Sequence, residues 1–169
     1  PLNEFYSDVH DKFHFESIFK IIHELKPEIE QHYVSPDSLT KSKYTKMASD
    51  SAEIYSYADI PTAFSYIEET IKENSAQKLF YCYTGEPDKS MHKAGVYNDH
   101  IRGIIEKIQE QVETLHKQLV GTKSLIIVTA DHGMIEVEDS IYVNEEKNLK
   151  DSLILPTFPE PRFISCFVH

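Results

Sequence analysis

The sequence predicts an α/β fold of three layers, a mostly parallel sheet flanked by helices. Two short, continuous apolar runs carry that prediction, residues 79–84 and 125–130, together with the long amphipathic stretch between them. An uninterrupted run rich in aromatic and β-branched residues suits a strand buried on both faces, as in parallel sheets. Strand, helix, strand in this order is the βαβ unit, which joins parallel neighbours by a right-handed crossover. With 40% apolar residues in a chain of 169, there is material for one domain and its core.

Taken in order, residues 15–25 place Ile18, Ile21, Ile22 and Leu25 at helical spacing, and Pro27 ends the run. Residues 31–58 are polar and tyrosine-rich with little periodicity, and read as a surface excursion or insertion. Asp59 is an N-cap for a helix with Pro61 in its first turn and Phe64, Ile67 and Ile71 on one face. A strand near 78–84 runs into a polar loop, 85–97. Ile101, Ile104, Ile105, Ile108, Val112, Leu115 and Leu119 then mark a helix near 98–119, stopped by Gly121. The second strand is placed at 124–130, parallel to the first and adjacent or nearly so. Residues 135–143 read as a short hairpin, Pro156, Pro159 and Pro161 mark an irregular stretch, and residues 162–168 read as a last strand.

Seventeen Lys and Arg against 28 Asp and Glu leave a formal net charge of -11. Such a surface repels a phosphate backbone, which excludes a general nucleic-acid polymer as partner, and it attracts cations. No apolar run is long enough to cross a bilayer and no leader opens the chain, so the reading leans to the cytoplasm. Pro1 is not an initiator Met, so a leader removed upstream stays open. Cys82 and Cys166 form no CxxC pair and read as small core residues rather than nucleophiles or thiolate ligands. There is no GxSxG, no GxGxxG and no P-loop.

The chemistry lies where the two predicted strands end. The first leads into Gly85-Glu86-Pro87-Asp88, with His92 four residues beyond Asp88; the second leads into Asp131-His132-Gly133. In an open parallel sheet, ligands collect outside the carboxyl ends of the strands. Asp88, His92, Asp131 and His132 are therefore expected to converge on one crevice. Two carboxylates and two imidazoles suit a borderline divalent ion such as zinc, manganese or iron. The bland readings are a turn at Pro87-Asp88 and a cap at Asp131, and for each pair alone they are the better ones. Placement on consecutive strand ends reverses the preference. His10, His14, His23, His32, His100 and His116 read as solvated, and the tyrosines of 33–57 as packing for a loop rather than a substrate groove.

Residues 83–92, Tyr-Thr-Gly-Glu-Pro-Asp-Lys-Ser-Met-His, resemble the EPDxxxH segment of type I phosphodiesterases and nucleotide pyrophosphatases. Residues 128–134, Val-Thr-Ala-Asp-His-Gly-Met, resemble their TADHG segment. Both segments belong to the alkaline phosphatase superfamily, and TADHG alone is shared with related phosphomutases. The resemblance covers about residues 78–134. It implies an alkaline phosphatase-like fold and two divalent metal ions, commonly zinc, with manganese as the alternative. Asp88 and His92 match ligands of one ion, Asp131 and His132 ligands of the other, while Glu86 and Pro87 match residues that shape the loop. The family's nucleophile, a Thr or Ser beside another Asp ligand, has no matching segment here, so no catalytic nucleophile is assigned in this chain. The family's last His ligand is not matched either, and His169 lacks the motif around it.

The resemblance thus implies a metal-dependent hydrolase acting on a small phosphoester such as a nucleotide or phosphodiester. In such an enzyme a metal-bound nucleophile attacks phosphorus in line, and water clears the phospho-enzyme. Residues 1–169 are read as a portion of a single catalytic domain, incomplete at both ends, with 31–58 as an insertion. With two ligands per ion and no nucleophile, this chain by itself is expected to bind metal weakly and to turn over little. The alternatives are a metal-dependent phosphomutase of the same superfamily and a non-catalytic metal-binding or interaction piece. The sequence carries no reading of oligomeric state.

Overall fold

Three parallel strands form the sheet, and the central one comes from the stretch that looked least like a strand. The computed structural model describes residues 16–160 and 163–169, and its contacts divide into two units, one ending at Met134 and the other beginning at Ile135. In the first unit the sheet order is β2-β1-β3, with β1 Glu30–Pro36, β2 Glu53–Tyr57 and β3 Lys78–Cys82. Both pairings are parallel; Val34 faces Tyr55 on one side and Cys82 on the other.

Helices α1 Ile18–Leu25, α2 Asp37–Thr40 and α3 Lys43–Ser49 precede β2. Ser17 caps α1 by accepting from the Phe19 N–H at 3.2 Å. Helix α4 Ile60–Glu73 joins β2 to β3 past the central strand. As expected, Asp59 caps it: the carboxylate accepts from the Thr62 N–H at 2.9 Å and its hydroxyl at 2.7 Å. These hydrogen bonds also hold the Asp59 carboxyl below its ordinary pKa. Helices α5 Asp88–Ala94 and α6 Asp99–Gln118 follow β3.

Successive side chains of a strand point to opposite faces, so β1 serves two cores. On one face Val34 packs with Tyr57, with Ala63 and Ile67 of α4, and with Leu115 of α6 and Leu119 at its C-cap. On the other, Tyr33 packs with Phe19 of α1 and with Ala52. Helices on both faces of a parallel sheet make the three-layer α/β architecture the sequence predicts.

Three expectations about the sheet need correction. Residues 31–58 are no insertion: they hold β1, the centre of the sheet, and β2. Strand β1 reads Glu-Gln-His-Tyr-Val-Ser-Pro, and its five inner residues are all buried although three are polar. Residues 124–130 form no strand. Ile126 packs against the larger core, but Leu125, Ile127 and Val128 are each more than 70% exposed. A β-branched run becomes a strand only where a neighbour supplies a ladder and a face to pack on; here no ladder meets the run, and only Ile126 finds a face. Residues 79–84 do give β3, but as a half-buried edge strand rather than one covered on both faces.

In the second unit, α7 Lys147–Asp151 precedes an antiparallel pair, β4 Phe158–Glu160 and β5 Phe163–Ser165. The expected last strand is thus short; Arg162 and Pro161 lie outside the described residues. The hairpin expected at 135–143 is absent. Cys166 sits beyond β5 and is exposed, not core.

His32 is the histidine whose solvated reading fails. At 5% exposure it stacks on Phe80, ring centroids 4.7 Å apart, with Nδ1 2.8 Å from the Tyr66 hydroxyl. His23, His100 and His116 are exposed as expected, and His10 and His14 lie outside the described residues. Burial lowers the His32 pKa, against the opposing pull of Glu53 and Glu30. The unfolded chain, titrating near the ordinary imidazole value of 6.5, therefore takes up a proton before the folded one does as pH falls. Stability contributed by neutral His32 is present above that value and is lost as pH falls through it towards the folded pKa. Urea midpoints from pH 8 to 5 are expected to fall more steeply for the wild type than for His32→Gln; parallel curves would assign the acid lability elsewhere.

Candidate functional site

The EPD segment is built by local hydrogen bonds that leave little freedom to the residues carrying it. Strand β3 is extended by one rung, the Tyr83 N–H donating to the Val34 carbonyl at 2.9 Å. The carbonyl of the same residue accepts from the buried Tyr57 hydroxyl at 2.6 Å. Burial pushes that hydroxyl up to about 12, so it remains a neutral donor at ordinary pH. Beyond Tyr83, the Thr84 hydroxyl accepts from the Glu86 N–H at 3.1 Å. The Glu86 carboxylate accepts from the Ser90 N–H at 3.2 Å, within the first turn of α5. Glu86 is thus a cap that shapes the loop, and the Glu86–Pro87 peptide is cis.

Asp88 and His92 stand one turn apart on α5 and face the same way, with Nε2 3.3 Å from Asp88 Oδ1. Oδ1 is buried and has no hydrogen-bond partner. Gly95, at φ +80, ends the helix in the left-handed region that favours glycine. Asn98 then ties the two helices together. Its Nδ2 donates to the Ala94 and Gly95 carbonyls at 3.0 and 3.2 Å, and its Oδ1 accepts from the Ile101 N–H at 3.0 Å.

Asp131 and His132 form the second pair. Asp131 Oδ1 accepts from the His132 N–H at 3.0 Å, and its Oδ2 lies 3.8 Å from His132 Nε2. His132 Nδ1 is 2.9 Å from the Gly133 carbonyl. A carbonyl only accepts, so Nδ1 is the donor, and a neutral ring held this way presents its lone pair at Nε2. That is the tautomer a metal ligand adopts when a backbone carbonyl orients it.

The members of each pair are therefore together. The four are not assembled into one group: among the described residues, no three or more His, Cys, Asp or Glu side chains are placed to hold an ion. Convergence was expected from two parallel strand ends, and only β3 is a strand. Asp131 instead borders a cleft of about 550 Å3 whose walls include Tyr33, Tyr44, Tyr81 and Tyr83. Tyr33 and Tyr44, which the sequence assigned to loop packing, thus border open space. The signal missed was the pairing of Tyr33 with Tyr81 across β1 and β3, which needs the register and not the spacing. Cys82 behaves as the core residue expected: burial pushes its thiol up to about 11, which keeps it protonated and inert.

No described helix is long and apolar enough to cross a membrane. No curated protein and no solved structure gives a significant match to the chain. A family model does match, over residues 8–156, and it spans both candidate pairs. The chain belongs to the type I phosphodiesterase / nucleotide pyrophosphatase family, a family of phosphoester hydrolases within the alkaline phosphatase superfamily.

Proposed function

We propose that this chain contributes to the metal-dependent hydrolysis of a small phosphoester, a nucleotide or a phosphodiester. In this reading Asp88 and His92 hold one divalent ion, zinc or manganese, and Asp131 and His132 hold a second. The observation that carries it is Asp88 Oδ1, a buried carboxylate oxygen without a hydrogen-bond partner beside an imidazole nitrogen. That oxygen is shielded from water although the side chain as a whole is 45% exposed, and with only His92 Nε2 beside it, at 3.3 Å, it is placed to accept a cation. The orientation of His132 adds support, because the Gly133 carbonyl engages Nδ1 and leaves Nε2 on the side of the Asp131 carboxylate, 3.8 Å from its Oδ2.

Bound there, divalent ions supply Lewis-acid polarisation of the phosphoryl oxygens and reverse the local field of a chain with net charge -11. The protein's own part is orientation. Glu86 caps α5 and sets the direction in which Asp88 and His92 leave the loop, and the Gly133 carbonyl fixes the ring of His132. With two protein donors per ion, metal binding by this chain alone is weak, since a stable catalytic zinc site has three.

The test is a substrate panel for the full-length protein with Zn2+ or Mn2+, setting nucleotide diesters and bis-p-nitrophenyl phosphate against sugar monophosphates. Diester hydrolysis that a chelator abolishes and added metal restores is the expected result. Phosphoryl transfer returned to a sugar phosphate would replace hydrolysis with a mutase reading. Hydrolysis indifferent to chelator would remove the metal altogether.

A further inference from the structure

We propose that Tyr57 is a positioning residue for the Asp88–His92 pair, acting through the carbonyl of Tyr83; this rests on the reading of Asp88 and His92 as metal donors. Tyr57 is the last residue of β2, on the far side of the central strand from β3, and it is 4% exposed. Its hydroxyl reaches across to donate to Tyr83 O at 2.6 Å. Meanwhile the Tyr83 N–H is taken by Val34 O of β1 at 2.9 Å. Tyr83, the last residue before the loop, is therefore held from both other strands, by its N–H on one side and its carbonyl on the other. Beyond this clamp the succession is local: Thr84 to Glu86, Glu86 to Ser90, and α5 beginning at Asp88.

Packing alone does not explain the hydroxyl. Val34, Ala63 and Ile67 share a cluster with the Tyr57 ring, and a phenyl group would fill that space equally well. The O–H adds polar contacts, to the Tyr83 carbonyl and to the Thr84 side chain, and both fall on the root of the loop that carries Asp88. A small change there is amplified. Rotation of about 10° acting over about 10 Å of chain displaces a carboxylate by roughly 2 Å, where a working site tolerates about 0.5 Å.

The experiment measures Mn2+ binding directly, from the loss of the free-ion EPR signal, so it does not depend on turnover and reads weak affinities. It compares wild type, Tyr57→Phe, Tyr66→Phe and Asp88→Asn in the full chain. Tyr66→Phe removes another hydroxyl of the first unit, the one beside His32, and serves as the control for general loosening. Tyr57→Phe is expected to raise the Mn2+ Kd about tenfold, as loss of an outer orienting partner does, while Tyr66→Phe leaves it unchanged. p-Aminophenylalanine at position 57 restores an N–H donor in the same place and is expected to return the Kd to within about twofold of wild type. This last variant decides the matter should Tyr57→Phe fail to fold.

Weakened binding in Asp88→Asn with wild-type binding in Tyr57→Phe would overturn this inference alone. So would equal weakening by Tyr66→Phe, or no recovery with the amino analogue. Unaltered binding in Asp88→Asn would instead remove the metal reading beneath it.

Discussion

On the proposed reading of Asp131 as a metal ligand, Asp131→Asn in the full-length protein is expected to lower phosphodiester turnover at least about a hundredfold, because replacing even an outer partner of a metal ligand costs ten- to a hundredfold. The fold is expected to survive. The Asp131 side chain is 83% exposed, and the backbone hydrogen bond it accepts comes from the adjacent His132 N–H. Asparagine keeps the shape and that acceptor oxygen; what it removes is the negative charge. Circular dichroism and thermal denaturation should therefore match wild type while Mn2+ affinity and hydrolysis of bis-p-nitrophenyl phosphate fall together. Near-normal activity would mean that Asp131-His132-Gly133 is only a turn.

Ile67→Ala should cost about 3 kcal/mol of stability, the usual range for truncating a buried branched side chain being about 2–5 kcal/mol. Ile67 is 6% exposed and lies in the cluster of Val34, Tyr57, Ala63, Leu115 and Leu119, where two helices meet the sheet. With surroundings drawn from two strands and two helices, the void cannot close by the shift of one side chain. For a domain of this size the melting temperature should drop by about 10 °C. Ile105, on the same predicted apolar stripe as Leu115 but 44% exposed, provides the contrast. Ile105→Ala should cost less than about 1 kcal/mol. Equal losses in urea titrations of the two variants would show that α6 presents a different face to the core.

What was legible in the sequence is what is locally determined. Asp59 and Thr62 make their cap within three residues, α6 repeats its apolar positions over twenty residues, and Gly121 follows it at φ +88. Strand β1 was illegible because its burial is set by partners remote in sequence. His32 is buried because Phe80 and Tyr66 accept its ring, and neither is visible from residues 30–36. Residues 125–130 misled in the opposite direction: Leu125, Ile127 and Val128 are apolar enough to be covered, yet nothing covers them. Hydrophobicity along a run reports what it would gain from a neighbour, not whether the neighbour is there. The candidate site divides the same way. Each Asp–His pair is local and was found by spacing, whereas bringing the pairs together depended on a second strand end that the sheet does not contain.

The bridge at Asn98 sets an unusual demand on a residue without chemistry of its own. One planar amide donates to the carbonyls that finish α5 and accepts from an N–H that starts α6. Aspartate would keep the acceptor and lose both donors; serine would fall short of the carbonyls; glutamine would carry the right atoms one methylene too far. Position 98 thus tolerates fewer replacements than an ordinary N-cap, which asks only for the acceptor. A change there would loosen the end of the helix whose last turn carries His92 while every residue of the motif stayed intact, a lesion that inspection of the motif alone would pass as harmless.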